Sequence, residues 1–324
     1  MTEKRTVKVA LLGLGTVGSG VYKLVERQQN EMVNKVGADL RIEKILVHNI
    51  GKKRDGVDAS LLTDRWEDII DDKEIEIVIE VMGGIEPART MILEALNSGK
   101  NVVTANKDLV AEYGKELLDA AENNGVDFLF EAAVAGGIPI IRPLKQCLAS
   151  NELDEVIGII NGTTNYILTK MTEDGSDYAD VLKDAQAKGF AEADPTADVE
   201  GIDAANKLSI LIALLFDQYI PPQEIPTTGI SKITGAEIAA AASEGCKLKL
   251  IAHASIDADG NVTASVAPEK LPVSHPLAGV SNEYNAVYVT GDMVGDVMFY
   301  GKGAGALPTG SAIVGDIISI AKSI

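Results

Sequence analysis

The sequence predicts an α/β protein in which a doubly wound parallel sheet is followed by an α+β domain with a largely antiparallel sheet. In the first half, segments typical of strands alternate with segments typical of helices, as in parallel sheets. After the run GGIP at residues 136–139, this alternation gives way to helices and then to strands joined by short turns. The 324 residues also suit two domains of about 150 residues each.

The first strand leads into a glycine-rich turn. Residues 7–12 read VKVALL, and GLGTVG and an amphipathic segment to about residue 36 follow them. In this setting Gly13 permits the tight turn, Gly15 lets the backbone approach a pyrophosphate, and Gly18 lets the helix pack closely on the strand. The N–H groups that begin the helix favour an anion. The pattern therefore predicts a Rossmann-type dinucleotide-binding domain.

The rest of the first half continues the alternation. Further strands are predicted at 41–48, 75–81, 101–104 and 126–130, and helices at 87–99 and 108–123. The carboxyl ends of parallel strands line the cofactor crevice of such a fold. Those ends carry residues 81–84, the run from Thr104 to Lys107, and Glu131.

The end of the second strand bears on the choice between NAD and NADP. An NAD-selective fold usually places Asp or Glu there to hold the ribose 2′-OH. Here the position reads His48-Asn49, and Lys52, Lys53 and Arg54 follow. Cations suit a 2′-phosphate, so NADP is favoured and NAD stays open. A solvated basic loop is the alternative.

The second half is predicted to form a mixed domain. The predicted helices are 140–150, 177–188, 199–217 and a terminal helix from residue 308; the predicted strands are 153–160, 246–256, 262–267, 285–290 and 297–300. Residues 257–261, which contain Asp259-Gly260, read as a turn between two of these strands. Neighbouring strands with short connections favour a largely antiparallel sheet.

An acidic segment in the second half is the strongest candidate for a site. Residues 189–207 read GFAEADPTADVEGIDAANK, which brings Glu192, Asp194, Asp198, Asp203 and Lys207 to one loop and the start of an apolar helix. Asp203 and Lys207 are four residues apart, so they share a helix face. An isolated pair of this kind is usually a structural ion pair. Together with the other carboxylates and the glycine turn, it predicts a site for a small charged substrate.

Composition narrows the class of function. The formal charge of −19 argues against nucleic acid or an anionic membrane as the main partner. We find no signal peptide and no apolar run of membrane-spanning length, which predicts a cytoplasmic protein. Cys147 and Cys246 lack CxxC spacing, which predicts core thiols in a reducing compartment. The three histidines form no zinc pattern.

Several motifs, taken in order, resemble the homoserine dehydrogenase family: GLGTVGSGV, VVTANK, EAAVAGGIPII, IINGTTNYIL and KGFAEADPTADVEGIDAANKL. The resemblance covers essentially the whole chain. It implies reversible NADPH- or NADH-dependent reduction of L-aspartate 4-semialdehyde to L-homoserine, on the route to threonine and methionine. It also implies that Glu192, Asp198 and Asp203 bind the substrate and that Lys207 is the acid/base catalyst. Lys107 would face the substrate as a second catalytic lysine, and the division of work between the two lysines stays open.

The resemblance further implies ligands for cofactor and cation. The expected cofactor contacts are Gly15, Thr16, Val17, Thr104, Lys107, Gly189 and Gly303. A monovalent cation, Na⁺ or K⁺, would be bound by the Glu131 segment and the backbone carbonyls of Val134, Gly136 and Ile138. Without the family, the loop around Gly303 would read as an ordinary connector.

The family resemblance also predicts the domain organisation. The C-terminal segment 303–324 would return to the dinucleotide-binding domain 1–139, leaving 140–302 as the substrate-binding and dimerisation domain. A homodimer is expected on resemblance alone. The chain is expected to lack the C-terminal regulatory domain of longer members, since it ends soon after the terminal helix.

Three alternatives stay open at this point. A phosphorylating semialdehyde dehydrogenase needs a thiolate nucleophile, but in NGTTN the position of its Cys is held by Gly162. Another amino-acid dehydrogenase would share the glycine turn without needing the arrangement of Glu192, Asp203 and Lys207. A non-enzymatic NAD(P)-binding sensor would have no reason to keep two lysines beside acidic substrate ligands.

Overall fold

The computed structural model describes residues 5–324, without the side chains of residues 28–36. The chain forms two compact units. The first consists of the residues up to Gly137 together with Gly305–Ile324, and the second is Ile138–Ala304. None of the described helices is long and apolar enough to cross a membrane.

The first unit is built on a six-stranded parallel sheet with the strand order β3-β2-β1-β4-β5-β6. Its strands are β1 (Thr6–Leu12), β2 (Asp39–Leu46), β3 (Leu62–Thr63), β4 (Ile75–Glu80), β5 (Asn101–Thr104) and β6 (Phe128–Leu129). The helices of this unit are α1 (Thr16–Val36), α2 (Glu67–Ile70), α3 (Ala88–Asn97), α4 (Lys107–Asn124) and α10 (Ala306–Ser323). This is the doubly wound arrangement predicted from the alternating pattern.

Helix α10, from the end of the chain, packs on α1. A Cβ atom added at Gly20 would lie 2.2 Å from the carbonyl oxygen of Ala306, and one at Gly310 would lie 3.2 Å from the backbone of Gly20. The two helices therefore approach closely because each has a glycine at the crossing. Ile313 and Ile317 of α10 are fully buried in the same core as Val9 and Leu11 of β1.

The second unit contains a five-stranded antiparallel sheet with the order β11-β10-β7-β8-β9. The strands are β7 (Leu153–Ile159), β8 (Cys246–Ile256), β9 (Val262–Pro272), β10 (Tyr284–Gly291) and β11 (Gly295–Lys302). The helices are α5 (Gly162–Asp174), α6 (Tyr178–Ala187), α7 (Thr196–Val199), α8 (Ile202–Phe216) and α9 (Gly235–Ser243). Both predicted sheet types are therefore confirmed.

Several local predictions failed. The helix predicted at 140–150 is shorter and mainly a π-helical turn, Pro143–Cys147, which ends at Leu148, whose N–H donates to the Pro143 carbonyl oxygen. The helix predicted at 199–217 is two helices, separated at Gly201, whose φ is +83°. Helices α5 and α9 were not predicted at all. Cys147 is exposed and Cys246 is half-buried, so neither is the core thiol that was expected.

Candidate functional site

The centre of the candidate site is the first turn of α8. Asp203 and Lys207 face each other there, and Lys207 Nζ donates to Asp203 Oδ2 at 2.6 Å and to the Ile160 carbonyl oxygen at 2.8 Å. Their side chains are only 12% and 9% exposed, for Lys207 and Asp203 respectively. The pair is thus nearly desolvated. In such a setting, removal of one partner would leave the other charge buried and uncompensated. An ammonium has three N–H donors, so these two bonds leave one for a substrate oxygen.

Asn161 joins this pair to a second carboxylate. Its Nδ2 donates to Asp198 Oδ1 at 2.7 Å and to Asp203 Oδ2 at 2.9 Å. Its Oδ1 accepts from the backbone N–H of Thr164 at 2.9 Å, which caps α5. Asn161 was not among the predicted site residues. The signal that could have found it is the sequence N-G-T-T-N itself, because Asn is a preferred N-cap before a helix.

Asp198 lies at the end of the short helix α7. Thr163 donates its hydroxyl to Phe190 O at 2.7 Å and lies 3.1 Å from Asp198 Oδ2. Burial raises the pKa of Asp198, and the neighbouring charge of Asp203 adds to the rise; the hydrogen bonds from Asn161 and Thr163 and the charge of Lys207 oppose it. Asp198 is therefore a half-buried carboxylate whose oxygens are both engaged within the protein.

Glu192 and Gly189 lie on the loop between α6 and α7. Both are exposed, and Gly189 has a φ of +76° that favours glycine. The backbone oxygen of Glu192 accepts from Gln186 Nε2 at 3.0 Å, which ties the loop to α6. The side chain of Glu192 thus reaches solvent and is open to a ligand, unlike Asp198 and Asp203.

The glycine turn of the first unit has the geometry that the sequence predicted. Gly13 has a φ of +99°, and a Cβ there would lie 2.9 Å from the Val81 carbonyl oxygen. At Gly18 a Cβ would lie 2.3 Å from the Gly13 carbonyl oxygen, so turn and helix touch backbone to backbone. No atom of the described residues lies within 4 Å of a Cβ added at Gly15, which leaves open space where a pyrophosphate would approach. Thr16 and Val17 are the first residues of α1.

Thr104, one of the predicted cofactor contacts, is part of a buried hydrogen-bond network. Its hydroxyl donates to Glu80 Oε2 at 2.6 Å and accepts from the backbone N–H of Asn106 at 3.0 Å. Glu80 is fully buried, and its Oε1 accepts from the N–H groups of Met82 and Gly83. Glu80 was not predicted as a site residue, although its position at the carboxyl end of β4 was the available signal. Lys107 is the first residue of α4, directly after the capping Asn106.

The basic loop after β2 is organised by one arginine. Arg54 donates to the carbonyl oxygens of Asn49 and Lys52, each at 2.9 Å. Lys53 is fully solvated and lies 3.4 Å from Asp55. The loop thus places cations near the end of the second strand, while Arg54 itself holds the backbone.

Gly303 lies against Asn285 of β10. A Cβ at Gly303 would lie 2.2 Å from the Asn285 Cγ, so only glycine fits. Asn285 is 1% exposed, and neither atom of its amide has a hydrogen-bond partner among the described residues.

The predicted cation ligands lie in a buried turn of the first unit, apart from Ile138, which begins the second. Glu131 is 4% exposed, and its N–H donates to Asp316 Oδ2 at 2.9 Å. Val134 and Gly136 are buried, and Gly136 has a φ of +54°. The described residues contain no cluster of three or more His, Cys, Asp or Glu side chains that could hold a metal. A cation there would rely on backbone oxygens, as the family resemblance implies. The cation itself stays a prediction.

Of the predicted site residues, the structure brings together Asp198, Asp203 and Lys207 in one hydrogen-bonded cluster of the second unit. Glu192 and Gly189 lie on the loop that leads into it. The glycines of the turn, Thr104 and Lys107 belong to the first unit.

Known proteins are similar to this chain in both sequence and fold. The family model described as homoserine dehydrogenase matches residues 139–318, and the model of its NAD binding domain matches residues 13–131. A homoserine dehydrogenase of Bacillus subtilis (strain 168) is 48% identical over 321 residues, which are 99% of this chain and 74% of that protein. The solved homoserine dehydrogenase from Thiobacillus denitrificans has a TM-score of 0.94 at 44% identity, covering 98% of this chain and 74% of that chain. A hyperthermophilic archaeal homoserine dehydrogenase in complex with NADPH has a TM-score of 0.82 at 26% identity, covering 98% of both chains.

Proposed function

Because the chain belongs to the homoserine dehydrogenase family, we propose that it reduces L-aspartate 4-semialdehyde reversibly to L-homoserine, with a nicotinamide cofactor as the hydride donor. The observation that carries this proposal is the desolvated Asp203–Lys207 pair at the start of α8. It is a proton donor held in place next to carboxylates that suit an amino-acid substrate. When bound, the cofactor supplies the hydride that adds to the C4 carbon of the aldehyde.

Lys207 would stabilise and then protonate the developing alkoxide. Its third N–H is available for the carbonyl oxygen while Asp203 and Ile160 O hold the other two. As the C=O bond becomes C–O⁻, the ammonium charge stabilises the new negative charge, and a proton then passes from Nζ to oxygen. In the reverse direction the neutral amine takes the proton from the alcohol of L-homoserine.

Carboxylates supply the complement to the substrate's ammonium group. Glu192 is the best placed of the three, because its side chain is exposed on the loop. Asp203 is bonded to Lys207, and Asp198 is bonded to Asn161. We propose that Glu192 binds the ammonium, that Asp203 contributes charge from beside Lys207, and that Asp198 acts mainly by fixing the loop.

We propose that NADP is preferred over NAD. The support is the loop after β2, where His48-Asn49 stands at the position at which NAD-selective folds carry an acidic residue, and Lys52 and Lys53 follow shortly after. Gly13, Gly15 and Gly18 would admit the pyrophosphate to the start of α1, with Thr16 and Val17 donating their N–H groups. Lys107, at the start of α4, remains the proposed second lysine beside cofactor and substrate. Thr104, Gly189 and Gly303 remain proposed cofactor contacts.

Assembly and location are also proposals. A homodimer is supported by apolar side chains exposed on β11 and the turn before it, which include Met293, Met298 and Tyr300. The use of a nicotinamide cofactor, together with two free thiols, supports a cytoplasmic location. Bound Na⁺ or K⁺ at the Glu131 turn would be tested by the dependence of activity on the chloride salts of the two ions.

The experiment that tests the function is nicotinamide absorbance during turnover with L-homoserine, using NADP and then NAD. The native chain should turn over, with the higher kcat/KM for NADP. Lys207→Ala should lose ~10²–10⁴-fold in kcat, because general acid/base catalysis contributes that much. The control is Lys115→Ala, which removes an exposed lysine of an i,i+4 pair on α4. Absence of turnover with either cofactor would refute the assignment, and an active Lys207→Ala would move the proton transfer to Lys107.

A further inference from the structure

We propose that Asn161 is a positioning residue of this active site, which holds Asp198 and the Asp203–Lys207 pair in one fixed arrangement. The inference rests on the proposed function, since it concerns the same site. Asn161 is 5% exposed, and its amide forms hydrogen bonds at both ends. It is therefore placed to act through its neighbours, without touching the substrate.

The orientation of the amide follows from its partners. The backbone N–H of Thr164 can only donate, so the atom that faces it must be the oxygen. The nitrogen then faces Asp198 Oδ1 and Asp203 Oδ2, which as carboxylate oxygens can only accept. Both N–H bonds of the amide are thus used, one on each carboxylate. A flipped amide would place its nitrogen against the Thr164 N–H and its oxygen against the two carboxylate oxygens.

This arrangement fixes the position of Lys207. Asp203 Oδ2 accepts from Asn161 at 2.9 Å and from Lys207 at 2.6 Å, so one oxygen joins the two donors. The backbone just before Asn161 also takes part, because the Ile160 carbonyl oxygen accepts from the same ammonium. The cap of α5 therefore carries both the amide and the carbonyl that locate the proton donor.

The amide also lets two carboxylates lie close together. The charged groups that face it are Asp198 from α7 and Asp203 and Lys207 from α8. Burial raises the pKa of Asp198, and the hydrogen bond from Asn161 is the largest effect opposing that rise. Without the amide donor, Asp198 would take up a proton at a higher pH than in the native protein.

Two substitutions separate this role from helix capping. Asp and Ser are both preferred N-caps, so Asn161→Asp and Asn161→Ser keep the cap of α5 and remove the donor that faces the carboxylates. Each variant is assayed with L-homoserine and NADP across pH, with kcat and KM separated and the melting temperature recorded. We expect kcat to fall by on the order of 10²-fold at neutral pH in both, since misplacement of a catalytic group costs about that much.

The two variants should show opposite pH trends. For Asn161→Ser, the deficit in kcat relative to the native protein should grow as the pH falls, because the ionised form of Asp198 is lost earlier. For Asn161→Asp, the deficit should shrink as the pH falls. A proton taken up by the cluster of three carboxylates restores the native net charge and gives residue 161 an O–H donor in place of Nδ2.

The control for a purely structural role is Thr234→Ala, which removes the cap of α9 in the same unit. Loss of a cap should lower the melting temperature by ~2–4 °C and leave kcat and its pH dependence unchanged. If kcat and its pH dependence stay unchanged in both Asn161 variants, as in this control, Asn161 is only a cap and the inference fails. It also fails if their deficits in kcat do not change with pH. Turnover by the native chain is the separate test of the proposed function, so failure of that proposal is distinguishable.

Discussion

Lys249 should make the stability of the second unit depend on pH in the alkaline range. It lies on β8 and is only 2% exposed. Its Nζ donates to Asn165 Oδ1 at 2.9 Å and to the Val280 carbonyl oxygen at 2.6 Å. Burial lowers the pKa of Lys249 from 10.5 to about 8, with a smaller contribution from Lys247 in the same direction and an opposing one from Glu173. A neutral amine can still make both hydrogen bonds.

The sign and size of the effect follow from linkage. Between about pH 8 and 10.5, folded Lys249 has lost its proton while the unfolded chain keeps it. The unfolded state then binds more protons, so stability rises with pH across this window. The whole interval corresponds to about 3 kcal/mol, at about 1.4 kcal/mol per pH unit. Below about pH 8 Lys249 is protonated in both states, so its unfavourable contribution to the free energy of unfolding no longer changes with pH.

The substitution that tests this is Lys249→Met, compared with the native chain by urea unfolding from pH 7 to 9.5. The difference in unfolding free energy between the two proteins should shift by ~2 kcal/mol in favour of the native chain over this range. Lys270→Met, which removes a half-exposed lysine of β9, should instead follow the native curve. Nuclear magnetic resonance of the lysine ε-carbons should show one group titrating near pH 8 that Lys249→Met abolishes. Parallel unfolding curves and no such group would refute the reasoning.

Two further pairs of substitutions test the first unit. Gly18→Ala should destabilise the protein by about 1–3 kcal/mol and abolish NADPH binding, because its Cβ would lie 2.3 Å from the Gly13 carbonyl oxygen. In contrast, Gly315→Ala should stabilise it by about 0.5–1 kcal/mol, since that position lies in α10 with open space around it. Calorimetry measures the stability of the two variants and NADPH fluorescence measures their cofactor binding. Equal changes in stability for Gly18→Ala and Gly315→Ala would contradict the packing argument. Glu80→Gln should cost about 1–3 kcal/mol, because its NH₂ group would replace an oxygen that now accepts either from the Met82 N–H or from the Thr104 hydroxyl. A thermal unfolding curve that matches the exposed control Glu94→Gln would contradict this role.

The first unit was largely predictable because its signals are local. A strand, a glycine turn and a helix follow one another within the first 36 residues, and Gly13 and Gly18 each have a steric reason that a sequence pattern can express. Helix α5 was not predicted because its own sequence is ambiguous. GTTNYILTKMTED has a glycine and four threonines, which are poor helix formers, and the helix is stabilised by burial of residues such as Tyr166 and Leu168.

The same distinction explains what could be predicted of the site. Asp203 and Lys207 are four residues apart on one helix, so their pairing follows from helix geometry alone. Asn161 is separated from Asp198 by 37 residues and from Asp203 by 42. No periodicity links such positions, and only the packing of α5, α7 and α8 brings them together. The sequence can therefore mark Asn161 as a helix cap, but only the structure identifies its carboxylate partners. Asn161 and Lys249, which make such contacts while buried, are accordingly the residues where substitution is most informative.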